Sequence, residues 1–244
     1  MFIHYRSQGF VLKEENRGEA DKVFTIFTKD FGKLKISGKA IRKIKSKLRA
    51  GIQIFYLSEI EFIQGKNQKT LIDAIPVDKL SNIKGNLNRL RIISKIAEIF
   101  DKLVKGEEPD KKLWELLLEV FKGLDSCPVS HSLYSMVYYY FIWNLFSILG
   151  YKPTLNQCVI CQDKLTPTIL YFDSEQGGII CGNCFRKIKK GEKIKVETIK
   201  ILRVLLEKNW RTFSKLKIKT EYQKDLKKVS ENYLSYLSDA LDIS

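Results

Sequence analysis

The first 75 residues alternate apolar and polar positions with a period of two, which is typical of half-buried β-strands. Runs rich in Ile, Val, Phe, Tyr and Thr predict strands at Ser7–Glu14, Lys22–Thr28, Lys33–Lys39, Gln53–Gln64 and Gln68–Ala74. Glycine-containing turns separate these runs. Five strands in so short a span predict a small closed sheet, and the OB-fold is the five-stranded barrel of this size.

Beyond Pro76 the apolar residues recur with the three-to-four spacing of helices. Predicted helices cover Leu80–Val104, Lys111–Leu124, Val129–Leu149, Thr198–Trp210 and Tyr222–Leu241, with a helix boundary at Cys127-Pro128. The sequence therefore predicts an α+β protein of two domains. Residues 1–78 form an OB-fold barrel, and residues 79–244 form a helical domain with an insert at about residues 155–187.

The strongest chemical signal is two matched cysteine pairs, Cys158-Val-Ile-Cys161 and Cys181-Gly-Asn-Cys184, separated by 19 residues. A two-residue gap lets the backbone curl so that both sulfurs of a pair aim at one point. Two such pairs complete a tetrahedron around Zn²⁺. Four thiolates leave no open coordination position, so we predict one structural Zn²⁺ per chain.

The segment between the pairs predicts a β-hairpin. Ile169–Asp173 and Ile179–Ile180 flank a Gly177-Gly178 turn, which completes the layout of a zinc ribbon. Either pair alone is also compatible with a redox Cys-x-x-Cys motif, because Arg186 and Lys187 beside the second pair would lower a thiol pKa. Two pairs at ribbon spacing favour the metal.

The net charge of +15 is unevenly distributed along the chain. Residues 1–80 carry 16 Lys/Arg against 9 Asp/Glu, residues 81–184 carry 11 of each, and residues 185–244 carry 16 against 8. This segregation predicts a polyanionic partner rather than a general solubility charge.

The sharpest local charge feature is Lys33–Arg49, with eight basic residues and no acidic one. Edge strands also carry lysines against aggregation, but ordinary surfaces mix both signs, so the run favours phosphate contact. The candidate DNA-binding residues are Lys33, Lys35, Lys39, Arg42, Lys43, Lys45, Lys47 and Arg49. Phe24, Phe27 and Phe31 could stack on bases, although core packing is the expected role of each.

A second basic zone lies at residues 186–195 and 215–219. Its candidates for DNA contact are Arg186, Lys187, Lys189 and Lys190. Their charge is equally suited to neutralising a zinc–thiolate centre with a formal charge of about −2.

Signs of catalysis are weak. Gly32–Ala40 resembles a phosphate-binding loop, but it has one residue too many between its glycines and an alanine in place of the Mg²⁺-binding hydroxyl. Glu59 and Glu61 share a strand face, and a metal-dependent nuclease would need a third acidic ligand beside them. The two histidines, His4 and His131, are expected to be ordinary surface or capping residues. We therefore expect no enzymatic activity.

The expected setting is a reducing cytoplasm without membrane insertion. Met136–Leu149 is shorter than the ~20 residues of a spanning helix and contains Asn144 and Ser147. The N-terminal residues lack the apolar core of a signal peptide. Cys127 is the odd cysteine, and with four thiols assigned to zinc no disulfide framework is needed.

Three N-terminal blocks resemble the signature of the RecO family of bacterial recombination-mediator and DNA-repair proteins. These are Gly18-Glu-Ala-Asp21-Lys22 leading into Val23–Thr28, then Phe31-Gly32-Lys33, then Gly38-Lys39-Ala40. The order of parts is also similar: a small barrel, a helical domain, and a four-cysteine zinc element within the helical region. The basic loop of the family is often rich in arginine, whereas Lys39–Arg49 is mostly lysine, which keeps the charge and loses bidentate phosphate geometry.

The resemblance implies a non-enzymatic role in DNA repair and recombination. Proteins of this family bind single- and double-stranded DNA and anneal complementary strands without ATP. With RecR, and in some lineages RecF, they help RecA replace single-stranded-DNA-binding protein. The resemblance thus implies these partners and a nucleoid-associated location.

Two other classes of function remain open from the residues. The first is a zinc-ribbon RNA-binding or transcription-associated protein that does not anneal strands. The second is a zinc-dependent nuclease. The products formed from complementary oligonucleotides separate all three functions.

Overall fold

The structure, a computed structural model of the 244-residue chain, describes residues 3–126, 131–207 and 210–240. The chain divides into two compact units, Met1–Ser126 and Cys127–Ser244. Cys127, the boundary predicted at Cys127-Pro128 and the side chain of His131 lie outside the described residues.

The first unit is built on a closed barrel of five strands. These are β1 (His4–Arg17), β2 (Asp21–Thr28), β3 (Gly32–Gly38), β4 (Leu57–Gln64) and β5 (Lys69–Asp78). Their order around the barrel is β1-β2-β3-β5-β4, and β4 closes onto β1. All pairings are antiparallel except β3 with β5, where Ile36 lies opposite Lys69. The predicted OB-type barrel is confirmed.

Alternate residues of the strands fill the barrel because successive side chains of a strand point to opposite faces. The buried interior consists of Val11, Phe24, Ile26, Leu34, Ile36, Ile41, Ile52, Ile60, Phe62, Leu71 and Ala74. Phe31 is half-buried and packs edge-on against Tyr5 and Phe62. The expectation that these phenylalanines serve the core is confirmed for Phe24 and Phe27, each 1% exposed.

Helices cover part of the outer surface of the barrel. They are α1 (Leu48–Gly51), α2 (Ser81–Lys84), α3 (Leu87–Leu103) and α4 (Lys111–Ser126). The ring of Phe27 meets Phe100 of α3 at 4.8 Å, and Phe10 meets Phe121 of α4 at 4.9 Å. The domain boundary predicted after residue 78 coincides with the end of β5, and α3 and α4 belong to the same compact unit as the barrel.

The observed strands β1 and β5 run beyond the predicted Ser7–Glu14 and Gln68–Ala74, and two other predicted elements of this unit were too long. The fourth strand begins at Leu57 rather than Gln53, because Phe55 adopts φ +67, which no strand allows. The helix predicted at Leu80–Val104 is divided between α2 and α3. Asn86 is extended and its side chain accepts hydrogen bonds from the N–H groups of Asn88 and Arg89, so it starts a new helix.

The second unit combines helices with a small three-stranded sheet. Its elements are α5 (His131–Ile148), β6 (Leu170–Asp173), β7 (Gly178–Cys181), α6 (Gly182–Ile188), β8 (Glu192–Ile194), α7 (Val196–Glu207), α8 (Trp210–Phe213) and α9 (Thr220–Ala240). The sheet order is β7-β6-β8. The predicted hairpin is confirmed as β6 and β7, whereas the pairing of β8 with β6 was not foreseen.

An aromatic cluster holds this sheet against the helices of the second unit. Trp143 of α5 stacks on Tyr233 of α9 with ring centroids 5.3 Å apart, and Phe172 of β6 meets both rings edge-on. The Trp143 indole N–H donates to the hydroxyl of Ser230 at 2.9 Å, so the one polar atom of the buried ring is satisfied. In the described part of the chain, no helix has the length and apolar character needed to cross a bilayer.

Candidate metal centre and basic barrel surface

The four paired cysteines come together at one point of the second unit. Cys158 and Cys161 lie on a turn, Cys181 ends β7, and Cys184 lies in the first turn of α6. The four sulfur atoms lie within 4.8 Å of one another. Within residues 3–126, 131–207 and 210–240, no other group of three or more His, Cys, Asp or Glu side chains gathers in this way.

The distances between the sulfurs suit a tetrahedral metal site. A metal about 2.3 Å from each of four sulfurs gives sulfur–sulfur edges of about 3.8 Å. Cys161 Sγ and Cys181 Sγ lie 3.9 Å apart, although one belongs to each pair. The two pairs thus form one four-sulfur cluster, which favours a shared ion over two independent redox dithiols.

Backbone hydrogen bonds favour the thiolate form of one ligand. Burial raises the pKa of Cys158, but N–H groups of Cys161, Cys181 and Ile160 outweigh burial and lower this pKa to about 6. The bond from the Cys181 N–H is 3.4 Å long. Thiolate, rather than thiol, is the form that ligates metals.

The hairpin is held in place by close packing around the cluster. The rings of Tyr171 and Phe185 stack in parallel at 3.4 Å, joining β6 to α6. A Cβ atom on Gly178 would lie 2.6 Å from the Thr154 carbonyl oxygen, so this position accepts only glycine. Asp173 accepts hydrogen bonds from the N–H groups of Glu175 and Gln176 and thereby closes the hairpin turn.

The eight basic residues predicted for DNA contact do not form a single group. Lys33 is directed into the first unit, where its ammonium donates to the Asp101 carboxylate at 2.9 Å and to the Asp101 carbonyl at 2.6 Å. Its side chain is 14% exposed. This cation is therefore neutralised inside the protein, and its surface is not available to a phosphate.

The other seven residues are exposed on the barrel surface. Lys35 projects from β3, and the remainder lie on the segment from β3 to the short helix α1. Among the described residues none of these seven forms an ion pair. They are Lys35, Lys39, Arg42, Lys43, Lys45, Lys47 and Arg49.

The basic segment also contacts the loops at one end of the barrel. Arg42 donates to the Gly18 carbonyl in the β1–β2 loop at 3.2 Å. Arg17, the last residue of β1, donates to Gln68 in the β4–β5 loop at 3.0 Å. Arg17 and the exposed Lys66 thus add two cations to the end of the barrel where OB-folds commonly bind oligonucleotides. Sequence reasoning missed both, although each is a basic residue beside a predicted glycine turn.

Some cations of the second basic zone are held by neighbouring side chains. Arg186, Lys187 and Lys189 are exposed on α6 and its C-terminal cap. Arg186 donates to Asn183 at 2.7 Å. Lys190 pairs with Glu175 at 2.8 Å, and this hydrogen bond raises the pKa of Lys190.

The two segments considered for catalysis, Glu59 with Glu61 and Gly32–Ala40, have structural roles. Glu61 accepts hydrogen bonds from His4 at 2.6 Å and Arg6 at 3.2 Å, and Arg6 also lies 3.5 Å from Glu59. These bonds lower the pKa of Glu61. Gly32–Gly38 is strand β3 rather than a loop, so it does not offer the backbone N–H cradle of a phosphate loop.

The fold and the site together define a class of protein: an OB-type barrel followed by helices that carry a four-cysteine cluster able to bind a metal ion. Two family models match the chain. "Recombination protein O N terminal" matches residues 1–79, and "Recombination protein O C terminal" matches residues 84–240. The chain belongs to the RecO family, whose role lies in DNA repair and recombination.

Curated relatives agree with this assignment. The chain is 30% identical to the DNA repair protein RecO of Dehalococcoides mccartyi strain CBDB1 over 91% of this chain and 86% of the relative. It is 26% identical to the RecO protein of Thermoanaerobacter sp. strain X514 over 94% of this chain and 90% of the relative. For Alkaliphilus metalliredigens the identity is 27%, over 98% and 96%.

Proposed function

We propose that this protein binds single- and double-stranded DNA through the basic barrel surface. That surface comprises the seven exposed cations from Lys35 to Arg49, together with Arg17 and Lys66. The observation that carries the proposal is that these seven cations form no ion pair among the described residues. Unpaired cations that are close in sequence and space attract phosphates and release condensed counterions, whatever the base sequence.

The proposed activity is annealing of complementary strands without a nucleotide cofactor. A surface dense in lysine lowers the repulsion between two phosphate backbones, so that strands held near each other pair. Lysine suits this role because its flexible ammonium makes no fixed bidentate contact and lets a strand shift its register. The role is non-enzymatic, since no cleavage or nucleotide hydrolysis is required.

The four cysteines are proposed to hold one structural Zn²⁺. An all-sulfur set at tetrahedral spacing suits Zn²⁺ and leaves no position for water or substrate. When bound, the ion would crosslink the Cys158 turn to the base of α6 and stabilise the hairpin. Arg186 and Lys187 are close in sequence to the centre, and their charges would offset its formal negative charge.

Membership of the RecO family supports a set of proposed partners. We propose that the protein, with RecR and in some settings RecF, helps RecA replace single-stranded-DNA-binding protein on DNA. The proposed location is the bacterial cytoplasm, at the nucleoid.

An annealing assay tests the proposed function. Two complementary oligonucleotides, bare or coated with single-stranded-DNA-binding protein, are mixed with the protein, and duplex formation is followed without ATP. Duplex should form faster than in the absence of protein, fall steeply as salt rises, and be unchanged by ATP. Binding without annealing would favour the RNA-binding or transcription-associated function, and metal-dependent cleavage of the strands would favour the nuclease.

A further inference from the structure

An isoleucine lies at the tip of the basic segment between β3 and α1. Ile44 is 94% exposed, a larger fraction than for any other large apolar side chain in the described ranges. Its neighbours Lys43 and Lys45 are exposed, and neither forms an ion pair among the described residues. Single exposed apolar side chains are common on protein surfaces, so exposure alone does not indicate a function. This one, however, lies in the middle of the surface proposed to bind DNA.

The chain just before the tip is fixed to the barrel at three points. Ile41 is 3% exposed and belongs to the buried interior of the barrel. The Ala40 N–H donates to the Asp21 carboxylate at 2.7 Å. The Arg42 N–H donates to the Ala20 carbonyl at 2.9 Å. The tip therefore stands on an anchored base.

Two consecutive turns fix the backbone of the tip itself. The Lys43 N–H donates to the Ala40 carbonyl at 3.1 Å, and the Ser46 N–H donates to the Lys43 carbonyl at 3.0 Å. Ile44 and Lys45 are the central residues of the second turn, which leaves the Ile44 side chain in solvent. Because isoleucine is branched at Cβ, it has few rotamers to lose when it becomes ordered against a partner. The loop thus presents a preformed apolar side chain, and this reduces the entropic cost of binding.

The charges on both sides of Ile44 indicate the chemistry of its partner. Lys43 and Lys45 attract phosphates, whereas an apolar side chain has no donor to offer them. The faces of the bases are the apolar surface of a nucleic acid, and proteins reach them by inserting isoleucine or a similar side chain between neighbouring bases. We infer that Ile44 is a wedge that enters between two adjacent bases of single-stranded DNA, with the flanking phosphates at Lys43 and Lys45. This inference rests on the proposed DNA-binding function.

The balance of free energies favours a single strand over a duplex. Opening a base step of a duplex unstacks both strands and costs about as much as the burial of one isoleucine side chain gains. Proteins that open duplex steps offset this cost by bending the DNA around a large surface. A single strand has no second strand to unstack, so the wedge adds affinity there. It also separates neighbouring bases and leaves their pairing edges accessible to a complementary strand, as annealing requires.

The test uses single-stranded DNA that contains 2-aminopurine, an adenine analogue whose fluorescence rises when the base is unstacked. Binding of the full-length protein should raise this fluorescence. Ile44→Ser should abolish the rise and weaken single-strand affinity about tenfold, as expected for the loss of one buried apolar side chain. It should leave duplex affinity and the slope of log affinity against log salt unchanged, because no phosphate contact is lost. Ile44→Leu conserves the volume of the side chain and should retain the rise.

A matched control is Ile75→Ser, which changes an isoleucine of β5 that is 55% exposed and lies outside the basic surface. It should leave fluorescence and affinity unchanged. A natural protein that binds the strand without a rise in fluorescence would overturn the inference and leave the DNA-binding function intact. So would a rise that survives Ile44→Ser, or a rise of equal size in a duplex probe. Failure to bind either probe would overturn the proposed function and the wedge together.

Discussion

The ammonium of Lys33 lies 2.9 Å from the carboxylate of Asp101, a residue of α3 that is 68 positions away in sequence. Both side chains are largely shielded, with 14% and 29% of their surfaces exposed. Lys35, two residues along the same strand, is exposed and unpaired among the described residues. One strand face thus carries a cation that holds the barrel to α3 and a cation that faces solvent.

The two lysines are expected to respond differently to the same substitution. Lys33→Gln should lower the free energy of unfolding by about 1–2 kcal/mol, because it removes hydrogen bonds from a charged donor to Asp101. It should leave DNA affinity unchanged. Lys35→Gln should weaken DNA binding and leave stability unchanged. Urea unfolding and DNA titration of both variants check this pair, and the reverse pattern would place Lys33 in the DNA interface.

Reversing charge at Lys35, Lys39 and Lys43 should weaken binding to DNA of any sequence, because phosphate contacts carry no base information. Loss of these contacts should also reduce the slope of log affinity against log salt by about 0.9 per contact on duplex DNA. Titrations at several salt concentrations measure that slope.

The matched control reverses three exposed lysines elsewhere in the same unit, Lys95, Lys105 and Lys112, which form no ion pair among the described residues. The net charge changes equally, so a general charge effect would appear in both proteins. An unchanged salt slope in the Lys35, Lys39 and Lys43 variant would indicate that the main DNA-binding surface is the second basic zone.

Purified protein should contain one Zn²⁺ per chain. Cys181→Ser should lower the zinc content and the solubility, because three thiolates form an incomplete site and the hairpin has little core of its own. Circular dichroism of the barrel strands should be retained. Cys127→Ser is the control, since it changes the odd cysteine that belongs to neither Cys-x-x-Cys pair and should retain the metal. Elemental analysis without zinc, together with a Cys158 to Cys161 disulfide, would favour the redox hypothesis.

The acid dependence of stability should include a contribution from Glu61. Hydrogen bonds from His4 and then Arg6 hold the pKa of this carboxyl below its ordinary value of 4.5. A lowered pKa in the folded state means that the ionised carboxylate stabilises the fold above the unfolded value and loses this effect as pH falls through the folded value. Glu61→Gln should therefore flatten the decline in stability below about pH 4.5. Urea unfolding of both proteins at neutral and acidic pH measures the difference. An equal loss of stability with falling pH in the two proteins would contradict this prediction.

The sequence by itself determined the features that depend on local geometry. A two-residue gap between cysteines fixes where two sulfurs point, so the spacing favours one cluster of both pairs, and the structure brings the four sulfurs together. Alternation along the first 75 residues likewise determined five strands, and their number and length determined the barrel. The start of α3 is also encoded locally, because Asn86 is a favourable N-cap after Gly85, but the prediction of one helix at Leu80–Val104 missed it.

Only the tertiary structure decided how the charges are used. Lys33 and Lys35 occupy equivalent positions in the alternation, and what separates them is Asp101, which reaches Lys33 only when α3 packs on the barrel. Arg17 ends β1, Arg42 lies between β3 and α1, and Lys66 lies between β4 and β5. Once the barrel closes, Arg42 donates to Gly18 of the β1–β2 loop and Arg17 donates to Gln68 of the β4–β5 loop. Coulomb interactions depend on distance in space rather than in sequence. A pattern along the chain therefore identifies the cations, and the fold determines which of them remain free to meet a phosphate.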